Sequence, residues 1–235
     1  MYRSCIFGLL AGSIGLISVT NRREFQKIAT IGIFLLLGPA VAADESITFA
    51  DVTPGAPIAN FEFALTGQGR PGNWQVVVDE NAREGKALAQ LSKEKVSDRF
   101  PLAIYQRINQ ANVEVTAWFQ PVFGSIARAA GVVVRFVDPN NYYVARASAL
   151  EHKVSFHRVV DGKFQQLAAT NVYVVPGEWH GLTLLADREQ FTVTYNGKVV
   201  LTATDSTIRS AGRVGLWTQA DSIVHFDWLV VRALQ

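Results

Sequence analysis

Beyond residue 44 the chain alternates apolar and polar positions with a period of two. Val113, Val115, Ala117 and Phe119 interleave with Glu114, Thr116 and Trp118; Phe191, Val193 and Tyr195 interleave with Thr192 and Thr194. Such alternation sends successive side chains to opposite faces and predicts half-buried strands. Turn chemistry separates the runs: "DPNN" at 138–141, Asp161-Gly162, and Asn196-Gly197. An Asn-Gly pair between alternating segments predicts a type I′ hairpin, with both residues at positive φ. About a dozen strands follow one another at spacings of roughly 8 to 15 residues, with no helix between them except a short turn expected at Ser206 to Ala211. This pattern predicts an all-β fold, a two-sheet antiparallel jelly-roll sandwich. We expect one domain over residues 61–235, preceded by an extended lead-in at 44–60.

The first 43 residues read differently. Apolar runs at Ile6 to Val19 and Ile28 to Ala43 each fall short of the roughly 20 residues that span a bilayer as a helix. The second follows the basic stretch "NRREFQK" and ends in Ala40-Val41-Ala42. A basic region, an apolar region and a small-x-small site predict a secretory signal peptide over 1–43, cut after Ala42 or Ala43. The first run is then surplus, as in an over-extended N-terminus with Val19 as initiator; an N-terminal membrane hairpin is the alternative. The expected location is periplasmic or secreted, with membrane contact only through the export segment. Without Arg3, Arg22, Arg23, Lys27 and Glu24 the net charge of +2 becomes −1, which leaves no electrostatic footprint for nucleic acid. The one cysteine, Cys5, also lies in this segment, so the exported domain has neither disulfide nor thiol chemistry.

The common catalytic signatures are absent: no G-x-S-x-G, H-E-x-x-H, P-loop or C-x-x-C occurs. Gly67, Gly69 and Gly72 satisfy G-x-G-x-x-G, but Trp74 to Val78 reads as a strand, whereas a dinucleotide site needs a helix there. Glycosidases need two carboxylates at a fixed separation. The E-x-D-x-E runs of jelly-roll glucanases are missing, and Asp187-x-Glu189 falls in a turn. His152 and His157 are five apart, so on one regular strand they face opposite ways. Trp179-His180 reads as a core tryptophan with a rim histidine.

Candidate binding chemistry concentrates between Gly131 and Phe164. Alternation puts Arg135 with Val133 and Val137, Tyr143 with Ala145 and Ala147, Arg146 with Tyr142, and His157 between Ser155 and Val159. Planar Arg donors and aromatic faces among small residues suit a hydroxylated ring. In "GRVGLWTQADSIVHFDWLVV", Val224, Phe226, Trp228 and Val230 share an apolar core face, which makes Trp228 structural. Trp217, with Gly215 on its face, is the candidate stacking ring. The candidates are thus Arg135, Tyr143, Arg146, His157 and Trp217. Arg135 meets Tyr143 or Arg146 according to the register across "DPNN", so the five do not all serve together.

Three stretches, "AGVVVRFVDPNNYYVARASALEHKVSFHRVVDGKF", "WHGLTLLADREQFTVTYNGKVVLTATDSTI" and "AGRVGLWTQADSIVHFDWLVV", resemble concanavalin A-like, laminin-G-like jelly rolls of secreted bacterial proteins. The nearest branch is the 3-keto-disaccharide hydrolase family, although the chain has "FDW" where relatives read F-D-D and lacks an "L-F-N-G" opening. The resemblance covers about Trp74 to Val231 and implies a sandwich that hosts lectins, binding modules and hydrolases alike. It also implies room for one structural calcium, with Asp227 as the suspected ligand; no other cofactor is expected. The leading expectation is an exported, non-catalytic sandwich that binds a saccharide or polyol. The alternatives are a hydrolase of 3-keto-disaccharides and an envelope protein-interaction module.

Overall fold

A computed structural model describes residues 44–234; the expected export segment lies outside them. Among the described residues, fifteen strands form two antiparallel sheets. The first runs β13 (Lys198–Thr204), β12 (Gln190–Tyr195), β11 (His180–Asp187), β6 (Val113–Phe123), β15 (Ile223–Ala233), β4 (Lys86–Gln90), β3 (Trp74–Val78). The second runs β10 (Lys163–Asn171), β9 (Lys153–Val160), β8 (Asn141–Ser148), β7 (Ala129–Asp138), β14 (Gly212–Thr218), β5 (Arg99–Gln110), β2 (Phe61–Gly67). The expected jelly-roll sandwich is therefore the observed fold. The stretch expected as a lead-in instead contributes β1 (Glu45–Thr48), which pairs with β15 from Glu45↔Val231 to Thr48↔Trp228 and buries Phe49. No helical turn forms at Ser206 to Ala211. That link is irregular, and the Ile208 N–H donates to the Tyr143 hydroxyl at 3.0 Å.

The main core lies between the sheets, where alternate residues of β6, β11 and β12 meet Val132, Val134, Tyr143, Ala145 and Phe156. The outer face of the seven-stranded sheet carries a second apolar cluster: Phe100, Leu102, Ile104, Val133, Phe136, Tyr142, Val144, Val159 and Trp217, with Phe164 against it. Phe100 on β5 and Phe164 on β10 stand five strand positions apart, about 24 Å across a flat sheet at the usual spacing. Their ring centroids are 4.1 Å apart. Thr66 on β2 likewise reaches the Tyr142 hydroxyl on β8 at 2.9 Å. The sheet is therefore curled, and its own aromatic side chains fill the concave face.

Two bulges reset the faces. Arg135 has φ 49°, and the pairing of β7 with β8 shifts between Val134 and Asp138. Arg135 consequently follows Val134 inward rather than sharing the face of Val133. In β15 the register shifts between Phe226 and Trp228. Val224 and Phe226 remain in the core, Leu229 and Val231 replace the expected Trp228 and Val230 there, and Trp228 is turned outward. An irregularity of this kind reverses side-chain orientation for every residue beyond it.

The Asn196-Gly197 turn forms as expected, with φ of 46° and 78°. The Asn196 side chain also accepts the Gly181 N–H at 2.8 Å. Gly197→Val should therefore lower stability by about 1 kcal/mol or more, because a β-branched residue is strained at positive φ; a thermal melt reads the loss.

Asp221 fastens one end of the sandwich. Fully buried, it accepts hydrogen bonds from the Ser125 N–H and hydroxyl and from the Ile126 and Ala127 N–H groups at 2.7–3.1 Å. Burial alone would raise its pKa, but these four donors outweigh it and hold the carboxyl down at about 2, against an ordinary 3.8. A depressed carboxylate stabilises the fold above its unfolded pKa and loses that contribution as pH falls toward its folded value. Unfolding measured against pH should show roughly 2 kcal/mol from this group, complete by neutrality and lost between pH 4 and 2. Asp221→Asn should flatten that acid limb.

Candidate functional site

Of the five sequence candidates, Arg135 and Tyr143 point into the core between the sheets, away from the outer face on which the other three lie. The Arg135 guanidinium sits over the Phe191 ring and donates to the carbonyls of Ala111 and Ile208, each at 2.8 Å, and of Arg188. Tyr143 packs on Phe156 and Phe191 and donates to Asp205 at 2.5 Å. Burial, together with that carboxylate, pushes its phenol up to about 12. Together the two side chains hold the β11–β12 turn and the Asp205–Ile208 link against the curled sheet.

Arg146, His157 and Trp217 do meet, on the outer face of the curled sheet. Register places Arg146 opposite Gly131 and Ser155, His157 opposite Val144, and Trp217 opposite Gly131 and Leu102. A Cβ on Gly131 would meet the Ala145 carbonyl and the Val144 side chain at 2.9 Å and the Trp217 ring at 3.1 Å, so the indole packs where a side chain would stand. The three residues line a cavity of about 200 Å³ at one end of the concave face, together with Phe100, Phe164, Glu151 and Gln219. Pockets for drug-sized ligands run roughly 300–1,000 Å³, so this one suits a single ring.

Trp217 has no solvent exposure. It stacks on Phe100 at 5.5 Å, and its indole N–H lies beside the Tyr142 hydroxyl without closing a full hydrogen bond. It is the floor of the cavity rather than a free stacking ring. The indole exposed on the outside is Trp228, half-buried on the opposite sheet and parallel to Trp118 at 6.2 Å and 6°. The sequence pattern assigned these two tryptophans the other way round. It also inverted Trp179-His180: His180 is the core residue, stacked on Tyr195 and bonded to its hydroxyl at 2.8 Å, while Trp179 is at the rim.

The polar rim is unevenly satisfied. His157 Nε2 pairs with the Ser155 hydroxyl at 2.8 Å, and its Nδ1 is buried without a partner. Burial, reinforced by the Arg146 charge, pushes this imidazole down to about 4, so it is neutral at pH 7. Arg146 is held by Glu151 alone, through Nη1 at 3.2 Å and a closer Nη2 contact, and its buried Nε has no partner. The Arg146 hydrogen bonds hold the Glu151 carboxyl below the usual range. Two other buried arginines set the comparison. Arg135 and Arg99 each place all three guanidinium nitrogens on backbone carbonyls. Arg99 thereby pins the loop carrying the G-x-G-x-x-G sequence through Arg70 and Pro71, which accounts for that motif structurally. Sequence reasoning missed Glu151, Phe100, Phe164 and Gln219, which come from distant strands and turns; the E-H pair beside His157 was the available signal.

Asp227 does not fit the implied calcium. It is buried, accepts the Arg83 N–H at 3.0 Å and has its pKa raised by burial. Neighbouring Asp79 is engaged by His225 at 2.7 Å. Among the described residues no group of three His, Cys, Asp or Glu is placed to hold a metal, whereas calcium takes six to eight oxygens.

Comparisons agree with this architecture. No family model matches the chain, and no curated protein matches it. Among solved structures it is similar to the carbohydrate binding module CBM66 from Bacillus subtilis, at 18% identity, covering 73% of this chain and 95% of that one, TM-score 0.56. It is also similar to domain 4 of AbnA, an extracellular arabinanase from Geobacillus stearothermophilus solved with arabinotriose, at 14% identity, 80% and 90% coverage, TM-score 0.53. A protein of unknown function with a galectin-like fold from Bacillus subtilis aligns at 12% identity, 73% and 89% coverage, TM-score 0.52. The chain thus has a galectin-like jelly-roll fold. Identities this low define the fold and leave function to the site.

Trp217→Ala should cost roughly 3 to 5 kcal/mol, the usual range for emptying a buried aromatic site. Trp228→Ala should cost clearly less. Denaturant unfolding of the two variants checks the reassignment.

Proposed function

We propose that this is an exported, non-catalytic saccharide-binding domain, with its site in the cavity between Arg146, Glu151, His157, Phe164, Trp217 and Gln219. The observation that carries this reading is a buried guanidinium with an unpartnered Nε, beside an imidazole with an unpartnered Nδ1, over an aromatic floor. Buried polar atoms in native proteins are nearly always satisfied, so two such atoms side by side mark a place where a ligand's oxygens can serve as partners. A neutral imidazole, a planar donor fork and the faces of Phe100 and Phe164 together fit the hydroxyls and apolar patches of a sugar ring. The likeness to a carbohydrate binding module and to a domain solved with arabinotriose supports the same class of ligand. Glycoside hydrolysis needs two carboxylates. Glu151 is the one carboxylate lining the cavity, and Arg146 holds it, which favours recognition over chemistry on a 3-keto-disaccharide. Export rests on the A-x-A pattern at 40–42.

A glycan array of neutral and acidic saccharides, followed by calorimetry on the best ligand, tests the reading. Gln219→Ala and Phe164→Ala should each weaken binding by about tenfold or more, the scale of one or two well-placed contacts. Trp228→Ala, on the opposite sheet, should leave affinity unchanged. Binding lost with Trp228→Ala and retained with the cavity variants would move the site to the other sheet; no binding to any glycan would reject the function.

A further inference from the structure

Resting on the saccharide reading, we infer that the ligand is an acidic sugar whose carboxylate takes the place of Glu151 on Arg146. Glu151 belongs to the tight turn joining β8 and β9, residues 149–152, and its side chain is 43% exposed, whereas that of Arg146 is 10% exposed. A buried guanidinium is thus capped by a carboxylate reaching in from a surface turn. Glu151 engages Nη1 and Nη2 and leaves Nε unpaired, so only part of a donor array that matches a carboxylate fork to fork is used. The other two buried arginines are committed to main-chain carbonyls, which no ligand can displace without unfolding their loops.

The charges around the turn point the same way. Lys153 Nζ lies 4.0 Å from the Glu151 carboxylate, so swinging Glu151 outward leaves Arg146 and Lys153 facing the vacated position with no other acid lining the cavity. A neutral sugar entering there would leave a buried cation without a counter-charge, a costly arrangement. A uronate restores the pair and brings a ring for the floor formed by Phe100, Phe164 and Trp217. Glu151 acts as an internal competitor: it keeps Arg146 paired in the free protein and sets a threshold that neutral sugars do not overcome.

Calorimetry with the purified protein tests this, using glucuronate and galacturonate, the matching neutral sugars glucose and galactose, short oligomers of each, and acetate as a bare carboxylate. Uronates should bind about tenfold or more tighter than their neutral counterparts, acetate should bind more weakly than either uronate, and uronate affinity should fall with added salt. Glu151→Gln and Glu151→Ala remove the competitor from an exposed turn and should raise uronate affinity several-fold without improving neutral sugars. Arg146→Lys should lower uronate affinity about tenfold, since a point charge does not replace the fork. Equal binding of neutral and acidic sugars, or uronate affinity unchanged or weakened in both Glu151 variants, overturns the inference while leaving the saccharide site standing. Acetate binding as tightly as the uronates overturns it as well, by removing the sugar ring from recognition. Absence of binding by every saccharide rejects the saccharide reading itself.

Discussion

The contact between Phe100 and Phe164 is the constraint on which the concave face depends. A flat seven-stranded sheet would hold these rings far apart, and bringing their centroids to 4.1 Å requires the sheet to roll onto its outer face. Rolling buries Leu102, Val133, Tyr142, Val144 and Trp217 in a second apolar cluster, separate from the core between the sheets. Burial of these large side chains drives the roll, each contributing about 1.5–3 kcal/mol relative to exposure. The concave face that could have formed an open groove is therefore mostly filled from within. A cavity of about 200 Å³ stays open where Arg146 and His157 stand beside Phe100, Phe164 and Trp217.

Three buried arginines show how one residue type serves different ends in the same sandwich. Arg99 and Arg135 are latches: their forks collect carbonyls from loops and links that would otherwise have no fixed place on the sheets. Such bonds tie together segments 24 to 121 residues apart and use every nitrogen of each fork. Arg146 differs in its partner, a side-chain carboxylate on a short exposed turn, and in its unsatisfied Nε. The two ends of this ion pair differ in environment: the guanidinium is buried, while the carboxylate reaches in from solvent.

Much of the architecture was legible in the chain. The period-two runs marked most strands, and Asn196-Gly197 and Asp161-Gly162 carry the positive φ values expected of hairpin turns. Arg146 and His157 share the outer face because β8 and β9 keep an unbroken register that sets Val144 opposite His157 and Arg146 opposite Ser155, a pairing that alternation within either strand left open. Where alternation failed, it failed at a bulge. One residue at φ 49° turned Arg135 inward, and one register shift beyond Phe226 exchanged Trp228 for Leu229 in the core. Neither position carries the glycine that would have announced it.

By itself, then, the sequence determined the strand pattern, the turns and the all-β sandwich. These depend on local conformational preference and on burial of alternate residues, which act over a few positions. Tertiary structure alone decided that the face would curl, that Trp217 would become a floor and Trp228 a surface ring, and that Glu151 would cap Arg146. The curl and the exchange of the tryptophans depend on contacts between segments far apart in the chain, such as Phe100 with Phe164 and Trp118 with Trp228, while the Glu151 cap, only five residues from Arg146, depends on the conformation of the β8–β9 turn. No periodicity within one strand encodes which distant strand will lie across from it, because that choice minimises exposed apolar area over the whole sheet rather than along the strand.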